Sequence, residues 1–100
     1  MKSFQEKGLV KRGYRITGRV QGVFFRAWTR GIANELGLRG TVRNRTDGSV
    51  EAQVLGSPGA VSSFESRLWE GPLGSAVDSV EPLELGDPFP SGPFQILPTV

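Results

Sequence analysis

A chain of 100 residues with a net charge of +2, 37% hydrophobic and 22% charged, has the size and composition of one globular domain with a modest core. No apolar run approaches the ~20 residues needed to cross a membrane. Histidine and cysteine are both absent, which excludes a disulfide framework, a thiolate nucleophile, a phosphohistidine route and the usual transition-metal ligands.

Residues 1–12 are polar and basic without periodicity and read as a flexible tail, leaving 13–100 as a single domain. The N-terminus lacks the apolar segment of a secretory signal, so a cytoplasmic protein is expected. From Gly13 the pattern alternates. Tyr14, Ile16, Gly18 and Val20 fall on one face and Arg15, Thr17 and Arg19 on the other, as in a half-buried strand.

Val20, Gln21, Gly22, Val23, Phe24, Phe25 and Arg26 then form a glycine-containing link from strand to helix, closed by an arginine. Gly22 gives the backbone the freedom a tight loop needs. Successive N–H groups in such a turn, followed by the unpaired N–H groups of a helix start, make a concave anion site, and a guanidinium adds a planar charged fork. An ordinary connection would also place glycine here. Arg26 is the discordant residue, because a cation in the first turn opposes the helix dipole unless an anion is added.

Phe25, Trp28, Ile32 and Leu36, widened by Thr29 and Ala33, mark an amphipathic helix stopped by Gly37. Phe24, Phe25 and Trp28 are expected to be core anchors, not a ligand-stacking box. Two strands follow, with Leu38, Gly40 and Val42 alternating with Arg39, Thr41 and Arg43, and Val50, Ala52 and Val54 alternating with Glu51 and Gln53. Asp47-Gly48 signals a hairpin between them. Asn44 shares the parity of Leu38 and Val42, so its amide leaves the strand on the core side. It either bonds the local backbone of the turn or serves a partner there.

Ser57-Pro58 reads as an N-cap and first helical position, Val61, Phe64 and Leu68 as the buried stripe, and Gly71-Pro72 as the end of a second helix. Trp69 is expected to be packing. A less regular strand over 76–85, a Pro- and Gly-rich loop over 86–93 and a short strand over 94–97 complete the chain. Strand, helix, two-stranded hairpin, helix, strand is the order of the α+β ferredoxin-like split βαββαβ sandwich, with a mainly antiparallel sheet, both helices on one face and a short additional C-terminal strand.

Charge is uneven. Residues 13–45 hold seven arginines against Glu35, while 46–100 hold Arg67 against eight acids. The basic half contains the loop, which suits an anionic ligand, although arginines on strands also form a plain solvated face.

The run Gly18-Arg19-Val20-Gln21-Gly22-Val23-Phe24-Phe25-Arg26, the later Gly37-Leu38-Arg39-Gly40-Thr41-Val42-Arg43-Asn44 and then Asp47-Gly48-Ser49-Val50-Glu51-Ala52 strongly resemble the common-type acylphosphatase family. The resemblance covers about residues 13–98 and implies a metal-free hydrolase, without cofactor or covalent intermediate, that cleaves acyl phosphates to a carboxylate and inorganic phosphate by in-line attack of water. It implies that Arg26 binds the phosphoryl group, that the backbone of Gln21, Gly22, Val23, Phe24 and Phe25 forms an amide cradle, and that Asn44 positions the attacking water. Thr41 departs from the family, where tryptophan is frequent at that position. The expected partners are a small acyl phosphate and inorganic phosphate, as product and inhibitor, with no nucleic acid and no membrane, and the protein is expected to be a monomer. A phosphate- or carbamoyl-phosphate-binding module is one rival reading. An RNA-binding sheet is another, disfavoured because the outward positions Arg15, Thr17, Arg39, Thr41 and Arg43 offer no aromatic ring for base stacking.

Overall fold

The computed structural model describes residues 8–84, 86 and 89–100. Residues 1–7 of the expected tail, and Leu85, Asp87 and Pro88, lie outside the described residues. The alternation of Tyr14 and Ile16 with Arg15 and Thr17 becomes strand β1 (Val10–Arg19), with Tyr14 and Ile16 buried. It is followed by α1 (Phe25–Glu35), β2 (Arg39–Asn44), β3 (Val50–Gly56), α2 (Pro58–Glu70), β4 (Ala76–Pro82) and β5 (Gln95–Ile96). The sheet order is β4-β1-β3-β2-β5, antiparallel throughout except that β5 runs parallel to β2. The ferredoxin-like α+β order is therefore the observed one.

Strand parity decides where the core sits. Ile16 pairs with Val50 and Val80, and Tyr14 and Val42 both pair with Ala52, so one face of the sheet carries these apolar side chains together. Phe25, Thr29, Ile32 and Ala33 of α1 and Val61, Phe64 and Leu68 of α2 are buried with them. The helix ends follow from local chemistry. Gly37 closes α1 in a Schellman arrangement, with Leu38 N–H donating to Ala33 C=O at 2.8 Å and Gly37 N–H to Asn34 C=O at 3.1 Å. Ser57 caps α2, its Oγ accepting from Ala60 N–H at 3.3 Å, with Pro58 at the first helical position.

Several expectations change. β1 starts at Val10, not Gly13, because Val10, Lys11 and Arg12 pair with Gly56, Leu55 and Val54. Arg12 stands at the core parity but is exposed, so the alternation that marks the strand breaks there. Phe24 is no core anchor, being 88% exposed. It precedes the first helical residue and so falls outside the stripe that starts at Phe25, whose ring is buried against a half-buried Trp28 at 5.5 Å between centroids. Trp69, one position past the stripe residue Leu68, is half-exposed. Thr41 points away from the helices yet is buried, accepting a 3.0 Å bond from Gln53 Nε2 and flanked by Gln95 of β5.

At Gly18 the β1–β4 register shifts, with φ 118°, and a Cβ there would collide with the carbonyl oxygen of Ala76. Both the left-handed backbone and the clash with main chain penalise a side chain. Gly18→Ala is expected to cost about 3 kcal/mol, a drop in thermal midpoint on the order of 15 °C for a domain of this size. A drop under about 5 °C would mean that β4 gives way readily.

Candidate active site

The end of β1, the start of α1 and the end of β2 meet at a cavity of about 300 Å³ lined by Val20, Gln21, Gly22, Phe24, Phe25, Arg26, Ala27 and Asn44. Six of the seven site residues expected from the sequence thus border one space. Val23 does not: its half-buried side chain packs against the core. Ala27, which borders the cavity, carries no chemical group that sequence reasoning could single out.

The loop backbone carries left-handed residues at alternate positions. Gly22 has φ 76° and Phe24 φ 60°, whereas Gln21 and Val23 are not in the positive region, so the sign of φ alternates along the loop. Alternation of right- and left-handed residues turns successive N–H groups toward one concavity. Apart from its immediate chain neighbours, no described residue comes within 4 Å of where a Gly22 Cβ would stand, so that side of the loop is open among the described residues. Phe24 is the non-glycine residue held at positive φ among the described residues, a strain of about 1–3 kcal/mol that persists only where the surroundings enforce it. Phe24 serves as the N-cap of α1 without a side-chain cap bond, and no acidic residue stands in the first turn. Unlike those of the capped α2, the leading N–H groups of α1 therefore lack a side-chain acceptor among the described residues.

Arg26 lies in that first turn, half-buried, and takes part in none of the ion pairs among the described residues. A guanidinium at the positive end of a helix with no carboxylate partner is set to receive an anion. Asn44 is the last residue of β2 and pairs with Val50, itself paired with Ile16, so its side chain stands on the core face at the rim of the sheet. Its Oδ1 is buried without a hydrogen-bond partner among the described residues. Of the two alternatives open for Asn44, bonding to the turn is not the one observed. Asp47 makes those bonds, accepting from Ser49 N–H at 2.9 Å and Ser49 Oγ at 2.6 Å.

The turn is braced on the helix-free face by ion pairs Arg15–Asp47 at 3.0 Å and Arg45–Glu51 at 2.7 Å. The Ser49 hydroxyl and amide, with the Arg15 guanidinium behind them, hold the Asp47 carboxyl well below the usual carboxylate range, so it is ionised throughout the neutral range. Away from the cavity, burial and the adjoining Glu65 push the Tyr14 phenol up to about 12, so it remains the donor of its 3.3 Å bond to Glu65. One contact was not legible in the sequence. Gln21 Nε2 donates to the carbonyls of Arg45 at 2.9 Å and Ser49 at 2.8 Å, so this side chain reaches the hairpin.

The acylphosphatase family model matches residues 12–96. An acylphosphatase of Rhizobium meliloti strain 1021 is 58% identical over 66 residues, covering 66% of this chain and 70% of the relative. A solved acylphosphatase from Coxiella burnetii superposes with a TM-score of 0.82 at 34% identity, covering 97% of this chain and all of that one. Full-length HypF in its phosphate- and nucleotide-bound form contains a similar unit, with a TM-score of 0.76 at 27% identity over 91% of this chain and 12% of that one.

Proposed function

The chain belongs to the acylphosphatase family, and from that premise we propose how its own residues split the carboxyl–phosphate bond of a small acyl phosphate. The phosphoryl group sits in the loop, held by main-chain N–H groups of residues 21–25 and by the Arg26 guanidinium. Asn44 Oδ1 accepts a hydrogen bond from a water and aims its oxygen at phosphorus. The water oxygen bonds to phosphorus as the phosphorus–oxygen bond to the acyl group breaks. The electron pair leaves with the carboxylate, and the water proton passes to a phosphoryl oxygen, giving inorganic phosphate.

A carboxamide is no base, so Asn44 is given alignment and not proton removal. The transition state of phosphoryl transfer is loose, with charge spread over the phosphoryl oxygens, and preorganised donors are what it requires. Arg26 supplies the positive charge, so the reading calls for no metal ion, and among the described residues no group of three or more carboxylates is placed to hold one.

The observation that carries this reading is that one cavity is lined both by Arg26, which forms no ion pair among the described residues, and by Asn44, whose buried Oδ1 has no hydrogen-bond partner among them. Benzoyl phosphate is expected to be hydrolysed at an unchanged rate in excess EDTA, with inorganic phosphate inhibiting competitively. EDTA inactivation reversed by a divalent ion would overturn the metal-free mechanism. The likeness to a segment of HypF keeps a second reading in view, a module that binds phosphate without turning it over. Saturable phosphate binding with no loss of benzoyl phosphate would establish it.

A further inference from the structure

The proposed reacting groups hang from strands that are not neighbours. The phosphate loop follows β1 and Asn44 ends β2, with β3 between them. Their relative placement is therefore set through a third strand unless something ties loop to hairpin directly. Among the described residues the side-chain hydrogen bonds that do so are the two donated by Gln21 Nε2, to Arg45 C=O at 2.9 Å and to Ser49 C=O at 2.8 Å.

The two carbonyls are well chosen for this. Arg45 directly follows Asn44, and Ser49 directly precedes Val50, the residue paired with Asn44. They are also joined to each other, Arg45 N–H donating to Ser49 C=O at 2.8 Å. One carboxamide nitrogen thus spends both of its N–H groups on the two chain positions that bracket the Asn44–Val50 pair. Ser49 is buried, so its end of the contact is sheltered from competing water.

We propose that the Gln21 side chain is a positioning residue: it clamps the phosphate loop to the base of the β2–β3 hairpin and so fixes the distance from the bound phosphoryl group to the Asn44 amide. This rests on the acylphosphatase reading and deepens it. Phosphate affinity comes from main-chain N–H groups and Arg26, neither of which uses the Gln21 carboxamide, whereas turnover depends on the alignment of Asn44. A misplacement of about 1 Å between reacting groups costs on the order of 10²-fold in rate.

The test is a double-mutant cycle on kcat with benzoyl phosphate, alongside the inhibition constant of inorganic phosphate. Gln21→Ala is expected to lower kcat by at least about tenfold while the phosphate constant stays within about threefold of wild type. In an Asn44→Ala background the same substitution is expected to have almost no further effect, because the group it positions is gone. Gln21→Met, of similar length but without N–H donors or charge, is expected to repeat the result and serves if the alanine variant folds poorly. Wild-type kcat in both variants, or losses that multiply with that of Asn44→Ala, would overturn the clamp, the second outcome marking a merely structural side chain. A wild-type protein that hydrolyses no acyl phosphate would instead overturn the acylphosphatase reading, and the clamp's role in turnover with it.

Discussion

Arg26→Ala is expected to lower kcat/KM by at least about 10³-fold, the scale set by arginines that stabilise phosphoryl-transfer transition states, and to abolish measurable phosphate binding. The reason lies in what surrounds the side chain. Arg26 stands in the first turn of α1, where the dipole is already positive, with no acidic residue in that turn and no ion pair among the described residues. Its charge is out of place until an anion arrives. The same argument fixes a second sign. Stability of the ligand-free protein should hold or rise slightly on substitution, since an unfavourable helix–charge interaction of about 0.3–1 kcal/mol is removed. Phosphate should raise the thermal midpoint of the wild type and not of the variant. Arg26→Lys should recover little, because a point charge cannot form the two parallel bonds of a guanidinium. Steady-state kinetics with calorimetric melting checks both halves, and a loss below tenfold with phosphate protection intact would reassign the anion to the loop backbone alone.

Asn44→Ala is expected to lower kcat by about 10²-fold, comparable to the removal of one preorganised donor from an active site, while the phosphate inhibition constant changes by no more than a few-fold. The split follows from the geometry, in which Asn44 reaches the cavity from β2, and the loop and α1 supply the other polar groups. Its buried Oδ1 lacks a partner among the described residues, so truncation also removes an unsatisfied acceptor and should be nearly neutral for stability. Asn44→Asp should behave differently. It keeps the shape but sets a carboxylate against a phosphate dianion, and binding should fall together with turnover. Equal losses in kcat and phosphate affinity for the alanine variant would show Asn44 gripping the phosphoryl group itself.

The sequence carried the frame of this site because its signals are periodic or local. Alternation puts Tyr14 and Ile16 on the core face, and the same parity puts Asn44 there. Gly37 and Ser57-Pro58 announced their helix ends through backbone requirements that few other residues meet. What stayed hidden depends on direction and reach. Phe24 looks like one more apolar residue beside Phe25, yet it is the left-handed residue before the helix and faces solvent. Val23 belongs to the same motif but turns toward the core. Arg12 masks the first residues of β1 because a long, exposed cation at the apolar parity breaks the alternation there. The Gln21 contact crosses from one element to another and leaves no trace in spacing, since a glutamine in a loop reads as surface.

The interleaving of β3 between the two strands that carry the site has an outcome for how the protein acquires activity. A nascent chain that has emerged as far as Ser49 already contains every reacting group, yet no strand pairing holds β1 in place, because it finds its hydrogen-bonding neighbours only in segments made after the hairpin turn and after the second helix. Closing such distant segments is the slow part of assembly. Enzymatic competence should therefore return during refolding with the final kinetic phase and not with early helix formation.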